Sequence, residues 1–341
     1  MKWNSKERFL AVLSGETADR PPISAWGHFV GREENAKDLA EATLEFQKKY
    51  EWDFVKINPR ATIFGEAWGN VSDFNQYIGD VPKINQYIIH EPHELDSIQE
   101  ITTETGAFGE QLEVTRLIKE GLGEETPILQ TLFSPLAIVE YLCGHRTVAS
   151  NRSAARHLSP LPDLIENHSE LLHRALGNIT NTLGAYIKNA IQAGADGFFY
   201  AVLGLARNGF LTEEEYEKFG KPYDLLILEA AQGFSLLMHT CGPESNPARF
   251  KDYPVHALHW ADHAEGNPTL RESITWKNNK CLMGGVDEEL FKEEDMTLVE
   301  KAAEKTIQSL KGVPFILAPG CGLPVGTKET ALKRFRKVID V

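Results

Sequence analysis

The chain is built on a recurring unit, a short continuous apolar run followed by a stretch with helical spacing. The runs are PPISAW (21–26), DFVKIN (53–58), PILQTLF (127–133), DGFFYAV (196–202), FSLLMHT (234–240), VHALHW (255–260), KCLMGGV (280–286) and PFILAP (314–319). A strand with one face in water alternates apolar and polar residues, whereas a parallel strand covered on both faces does not need to. Between the runs lie amphipathic segments such as LAEATLEFQKKYE, PYDLLILEAAQG, TLRESITWKNN and TLVEKAAEKTIQSLKG, and the chain closes on KETALKRFRKVIDV. Eight strand-then-helix units predict an α/β fold, a (β/α)8 TIM barrel, with a doubly wound open sheet as the alternative. The 341 residues suit one such barrel, and no linker or repeat marks a second, so 1–341 reads as a single domain.

The spacing of the units is uneven. Residues 134–195 hold more helix than one unit needs, including SELLHRALGNITNTLGAYIKNAIQAG, and residues 60–126 carry turn-rich pieces such as GNVSDFNQYIGDVP. In a barrel these helical insertions would build over the C-terminal rim, where long loops are usually functional.

Composition narrows the chemistry. Net charge is 35 − 49 = −14 with no basic run, which argues against nucleic acid as a partner. A small anionic substrate remains compatible, because one pocket can be positive on an acidic surface. The first residues, MKWNSKERFLAVLSG, read as an amphipathic helix rather than a signal peptide, and no apolar window is long enough to span a membrane. Cysteines stand at 143, 241, 281 and 321 with no Cys-x-x-Cys pair, so a reducing cytoplasm is the expected compartment.

The stretch LLMHTCGPESNP (236–247) carries the sharpest chemical signal. Residues i and i+2 of a strand face the same way, so His239 and Cys241 converge at the C-terminal end of the fifth run, where barrel enzymes place their chemistry. A buried histidine beside an inert cysteine is the plain alternative for that pair alone. The eighth run ends in ILAPGCGLPVG, which puts Cys321 between two glycines on the same rim. One imidazole and two thiolates suit zinc, and three protein ligands leave a position open, as catalytic zinc sites do. Cys281, early in a strand, and Cys143, at a helix end, read as packed small hydrophobes. GCGLPVG also has a dinucleotide-like spacing, but no βαβ unit follows it. No P-loop or GxSxG elbow is present.

The same residues carry a family resemblance. GADGFFY, DYPVHALHWADH, CLMGGVDEELF and ILAPGCGLP resemble segments of the uroporphyrinogen decarboxylase superfamily, and ERFLAVLSGETADRPPI and GEAWG match it more loosely. Within that superfamily, the decarboxylases carry an Arg-Gln-Ala-Gly-Arg segment after the first strand and a Ser-Asp-Ile turn after the second. Here those places read AWGHFVGREEN, with only Arg32, and KINPRAT, with Asn58 and Arg60 and no aspartate. The other branch comprises zinc-dependent methylcobalamin:thiol methyltransferases of the coenzyme M type. Its signature is His-x-Cys after the fifth strand and Cys after the eighth, the pattern that His239, Cys241 and Cys321 follow.

The resemblance implies a zinc-dependent methyltransferase that moves a methyl group from a corrinoid (methylcobalamin or a corrinoid protein) to a thiol. Tetrahydrofolate is an alternative acceptor. A uroporphyrinogen decarboxylase-type carboxy-lyase and a non-catalytic barrel that binds a corrinoid protein are the competing readings. The chain has no Asp-x-His-x-x-Gly corrinoid motif, so the cobalt must come from a partner or from free cofactor. Candidate substrate or metal-site contacts are His28, Glu66, Tyr200, Asp262, His263 and Asp287. His145 and Arg146 form a basic pair that could hold an acid group or lie solvated on the surface.

Overall fold

A computed structural model describes residues 3–145 and 156–340. Seven parallel strands form one curled sheet, in the order β1 (Val55–Lys56), β4 (Ile128–Phe133), β5 (Gly197–Leu203), β6 (Ser235–Thr240), β7 (Ala257–Trp260), β8 (Cys281–Val286) and β9 (Phe315–Pro319). Every one of these strands coincides with a run expected from the sequence. The fold is α/β, with α2 (Ala36–Tyr50) before β1 and the longer helices α4 (Gly106–Leu122), α7 (Ser169–Gln192), α9 (Lys221–Ala230) and α11 (Thr297–Ser309) between strands.

The first expected run, 21–26, is not a regular strand. It makes two isolated parallel bridges to the last strand region, Ile23 with Leu317 and Gly27 with Leu323. Its backbone nonetheless joins both edges of the sheet. Leu317 donates to the Pro22 carbonyl at 2.9 Å, and Asp53, just before β1, donates to that of Ile23 at the same distance. Pro21 and Pro22 have no N–H to give, which is why the ladder there stays fragmentary.

Asp53 fixes this junction. Its buried carboxylate accepts from Arg8 at 2.8 Å, from Arg20 at 2.6 Å and from the Ile23 backbone at 2.8 Å. Arg8 belongs to α1 (Ser5–Leu13), whose Phe9, Val12 and Leu13 pack into the sheet interior. That interior cluster also holds Phe54, Leu129, Phe199, Leu237, Ala257, Cys281 and Ile316, so α1 covers the end where the strands begin.

Residues of the opposite phase face the helices. Tyr200, beside Phe199, donates its hydroxyl to the buried Asp224 of α9 at 2.5 Å, and Tyr216 donates to the same carboxylate at 2.8 Å. Burial pushes the Asp224 carboxyl up to about 6 despite these donors.

Residues 60–126 contain a β-hairpin as well as helices. Strands β2 (Val71–Ile78) and β3 (Val81–Gln86) pair antiparallel around a turn at Gly79 and Asp80. Residues 134–145 and 156–195 hold α5 (Pro135–Leu142), α6 (Leu161–Asn167) and α7.

Removing the Asp53 carboxylate strands two arginines, one of them buried. Asp53→Ala is expected to lower unfolding stability by about 3–5 kcal/mol in urea denaturation. Asp19→Ala, which removes Arg8's more exposed partner, should cost about 1 kcal/mol or less. Equal losses would show that Asp53 does not hold the junction.

Candidate metal centre

The inward column of β6 includes Leu237, a member of the interior cluster. Two residues further on it presents His239, and after another two Cys241. Gly242 then turns the chain with φ +78°, a conformation that L side chains rarely adopt. The Cys241 amide donates to the Leu203 carbonyl at 3.0 Å, which ties the start of that turn to the end of β5. From the other side, β9 delivers Cys321 through Gly320. A Cβ at Gly320 would lie 2.7 Å from the Cα of Ala261, so only glycine lets the two rim segments meet.

The three side chains converge. Cys241 Sγ is 3.7 Å from Cys321 Sγ, and Cys321 Sγ is 3.8 Å from His239 Nε2. All three donor atoms lie within 4.8 Å of one another, with His239 and Cys241 buried. The two separations made by Cys321 fit a metal. With Zn–S of about 2.3 Å and Zn–N of about 2.0–2.1 Å, a tetrahedral ion sets its donors roughly 3.5–3.8 Å apart. The two thiols alone make an unfavourable pair of anions. The Cys241 thiol beside it, and then burial, push the Cys321 thiol well above its ordinary range. A divalent cation removes that obstacle, because a coordinated thiol is deprotonated outright.

The other two cysteines lie apart from the cluster. Cys281 is buried among the interior residues at the start of β8, and burial pushes its thiol up to about 12. Cys143 follows α5, and burial pushes its thiol up to about 12 as well.

The donors open onto a cavity of about 460 Å³, in the range of small-molecule sites. His28 lines this cavity and holds Glu33 through Nδ1 at 3.0 Å. The hairpin turn, Gly79 to Val81, lines it too. A second cavity of about 310 Å³ lies beside it, lined by Asp262, His263 and Asp287. Asp262 accepts from the Gly285 amide at 2.9 Å, His263 Nε2 donates to the Gly285 carbonyl at 3.0 Å, and Asp287 caps the short helical turn at 288–292.

Glu66 lines neither cavity and is ion-paired to Arg60 at 2.7 Å. Tyr200 is turned away from the interior, toward Asp224. His145 stands 3.9 Å from Glu140, and Arg146 lies outside the described residues.

Three further residues at the site were not singled out from the sequence. Lys56 lies in the inward phase of DFVKIN, two positions after Phe54. Its ammonium sits over the Phe199 ring at 4.7 Å and the Trp26 ring at 5.5 Å, and donates to Asn58 at 2.5 Å. Burial pushes it down to about 7, although Cys321 pulls the other way. Glu288 lines both cavities, and burial pushes its carboxyl up to about 7. His259 of β7 packs against His239 with ring centroids 4.7 Å apart. A lysine in an apolar run and a second in-phase histidine were the available signals.

The profile of the family described as "Uroporphyrinogen decarboxylase (URO-D)" matches residues 4–340. The chain belongs to this family. It is 23% identical to the methylcobamide:CoM methyltransferase MtbA of Methanosarcina mazei, covering 98% of this chain and 96% of that protein. A uroporphyrinogen decarboxylase of Tolumonas auensis is 20% identical, with 65% of this chain and 64% of that one covered. Among solved structures, a methyltransferase from Methanosarcina mazei superposes with a TM-score of 0.81 at 19% identity, covering 99% of both chains. This likeness supports the barrel-type α/β fold.

The cluster predicts about one zinc ion per chain. Cys241→Ala and Cys321→Ala should each lose most of that zinc by elemental analysis. Cys281→Ala should keep it and cost on the order of 1 kcal/mol in packing. Circular dichroism must show all three folded. Full zinc in Cys321→Ala would move the site elsewhere.

Proposed function

We propose that this chain is a zinc-dependent methyltransferase that carries a methyl group from a corrinoid to a thiol. The observation that carries the proposal is the convergence of His239 Nε2, Cys241 Sγ and Cys321 Sγ at one end of the sheet. Similarity to the methylcobamide:CoM methyltransferase of Methanosarcina mazei supports the donor and acceptor classes. These three residues, which line the cavity, would hold zinc. Zinc bound there supplies a thiol acceptor as its thiolate at neutral pH, where a free thiol with a pKa of roughly 8.5 is mostly protonated. With the new sulfur–carbon bond, the cobalt–carbon bond of the corrinoid substrate would break with its electron pair left on cobalt, and the thiol proton would leave for solvent.

Lys56 presents a cation to the cavity and suits an acceptor thiol that bears an acid group. Glu288, shared by both cavities, offers the departing proton a path toward the rim. The corrinoid would arrive on a partner or as free cofactor. The exposed apolar side chains Ile78 and Val325, at the hairpin tip and the cavity mouth, suit such an approach.

We further read 21–27 as the first of eight strands in a closed barrel and the whole chain as one domain, with the segments after β1 and β4 covering the rim. The lining of the cavity by the hairpin turn supports that arrangement. A reducing cytoplasm suits four cysteines of which none is in a disulfide. Among the described residues no helix is long and apolar enough to cross a membrane.

Decarboxylation is disfavoured by the side chains themselves. Arg60 is engaged by Glu66 and Glu110, Arg32 pairs with Glu45 at the surface, and the KINPRAT turn has no aspartate. Neither arginine is available to grip the acid groups of a tetrapyrrole.

The test is demethylation of methylcobalamin, followed by its absorbance, with a panel of thiols and tetrahydrofolate. Activity should need zinc and a thiol, and uroporphyrinogen should not be decarboxylated. Coproporphyrinogen formation would overturn the assignment. Lys56→Met should raise KM for 2-mercaptoethanesulfonate by about 10–100-fold, the worth of a charge-assisted hydrogen bond of roughly 1.5–3 kcal/mol. It should leave 2-mercaptoethanol nearly unchanged. As pH rises through about 7 the ammonium is lost, so the wild-type preference for the anionic thiol should fall. Equal effects on both thiols would remove Lys56 from acceptor recognition.

A further inference from the structure

His239 and His259 occupy facing positions in the register of β6 and β7. Both are nearly inaccessible, at 5% and 1% exposure. Their rings lie 4.7 Å apart at an angle of 30°, and both pack against Phe199. The metal-binding cluster does not include His259, so it is not a fourth ligand. Yet each of these rings has one buried nitrogen, Nδ1 in both cases, without a hydrogen-bond partner. Buried polar atoms are almost always paired, and two orphans on neighbouring rings need a common explanation.

The tautomers supply it. His259 Nε2 is 2.8 Å from the Pro319 carbonyl, which can only accept. Nε2 therefore carries the proton, and a neutral His259 presents a lone pair at Nδ1. His239 directs Nε2 at Cys321 Sγ. When Nε2 binds a metal, the proton of His239 must sit on Nδ1, which becomes a donor. One orphan is thus a donor and the other an acceptor. Metal-binding histidines almost always donate their second ring N–H to an oriented acceptor, which fixes the tautomer and the ring. Neither nitrogen has a hydrogen-bond partner, the other included, and one water between them would satisfy both.

We propose that His259 is a positioning residue of the metal centre: its Nδ1 accepts, through one bridging water, the Nδ1 proton of His239. The Pro319 carbonyl holds His259 in the required tautomer. Pro319 ends β9, two residues before Cys321, so the same strand that supplies a sulfur also sets the orientation of the imidazole across the interior. The inference rests on the zinc reading above.

Two substitutions separate this role from simple packing. Asn places a polar atom near the Nδ1 position and cannot reach Pro319. Gln reaches the Nε2 position and leaves the Nδ1 position apolar. Zinc affinity is measured by competition with a chromogenic chelator on the full chain, with thermal unfolding recorded in parallel. His259→Gln and His259→Phe should weaken zinc binding about 10–100-fold, and His259→Asn should stay within a few-fold of wild type. The reverse order would show that only the Pro319 bond matters and would overturn the proposal, as would equal affinities throughout. Nitrogen-15 NMR of the zinc-loaded wild type tests it without any variant. His239 protonated at Nδ1 and His259 unprotonated at Nδ1 is the predicted state, and a proton on His259 Nδ1 contradicts it. Wild type that binds zinc normally while these tests fail sinks the histidine pairing alone. Wild type that binds no zinc removes the zinc reading and this inference with it.

Discussion

Two sulfurs 3.7 Å apart define this molecule. Cys241 and Cys321 come from strand ends separated by two intervening strands, and they meet only because the sheet curls and its interior is shared. Their contact is costly for bare thiols, since Cys241 and then burial push the Cys321 thiol well above its ordinary range. The fold accepts that cost at the rim, while the same interior columns nearer the strand starts hold apolar residues such as Leu237 and Cys281. The interior is thus divided by depth. Its lower part holds the sheet together with α1, and its upper part carries donors and charge.

That upper part also explains how an acidic protein could serve an anionic acceptor. The chain has a net charge of −14, yet its cavity contains Lys56, held over two aromatic rings with Asn58 as its hydrogen-bond acceptor. Trp26 and Phe199, which flank it, also pack against His259, and Phe199 packs against His239. His239, Lys56 and His259 therefore share one aromatic floor. A change at Phe199 would be felt by all three, so mutations there cannot be assigned to a single role without double-mutant cycles.

Most of this was legible in the sequence, for identifiable reasons. Seven of the eight apolar runs became strands because continuous burial leaves a composition signal that does not depend on distant residues. The run at 21–26 kept its place and lost its ladder because two prolines remove donors. The helix expected in TLRESITWKNN shrank to a single turn, α10 (Leu270–Ser273), which is followed shortly by Asn278 at φ +54°. His239, Cys241 and Cys321 were readable because donor chemistry and strand phase agree. Phase also explains the residues that were harder to place. Tyr200 is one position out of step with Phe199 and faces Asp224, whereas Lys56 and His259 are in step with Phe54 and Ala257. Glu66 went to Arg60, six residues before it, and that arginine's second partner, Glu110, depends on how residues 60–110 fold back and leaves no local mark.

The most direct measurement is zinc-edge X-ray absorption on the purified chain before and after adding the acceptor thiol. The resting spectrum should show two sulfur neighbours at about 2.3 Å with nitrogen or oxygen completing the shell, and thiol addition should raise the sulfur count by one. A shell of nitrogen and oxygen alone, or one that saturating thiol leaves unchanged while methyl transfer proceeds, would contradict a centre built by His239, Cys241 and Cys321 to present a thiolate.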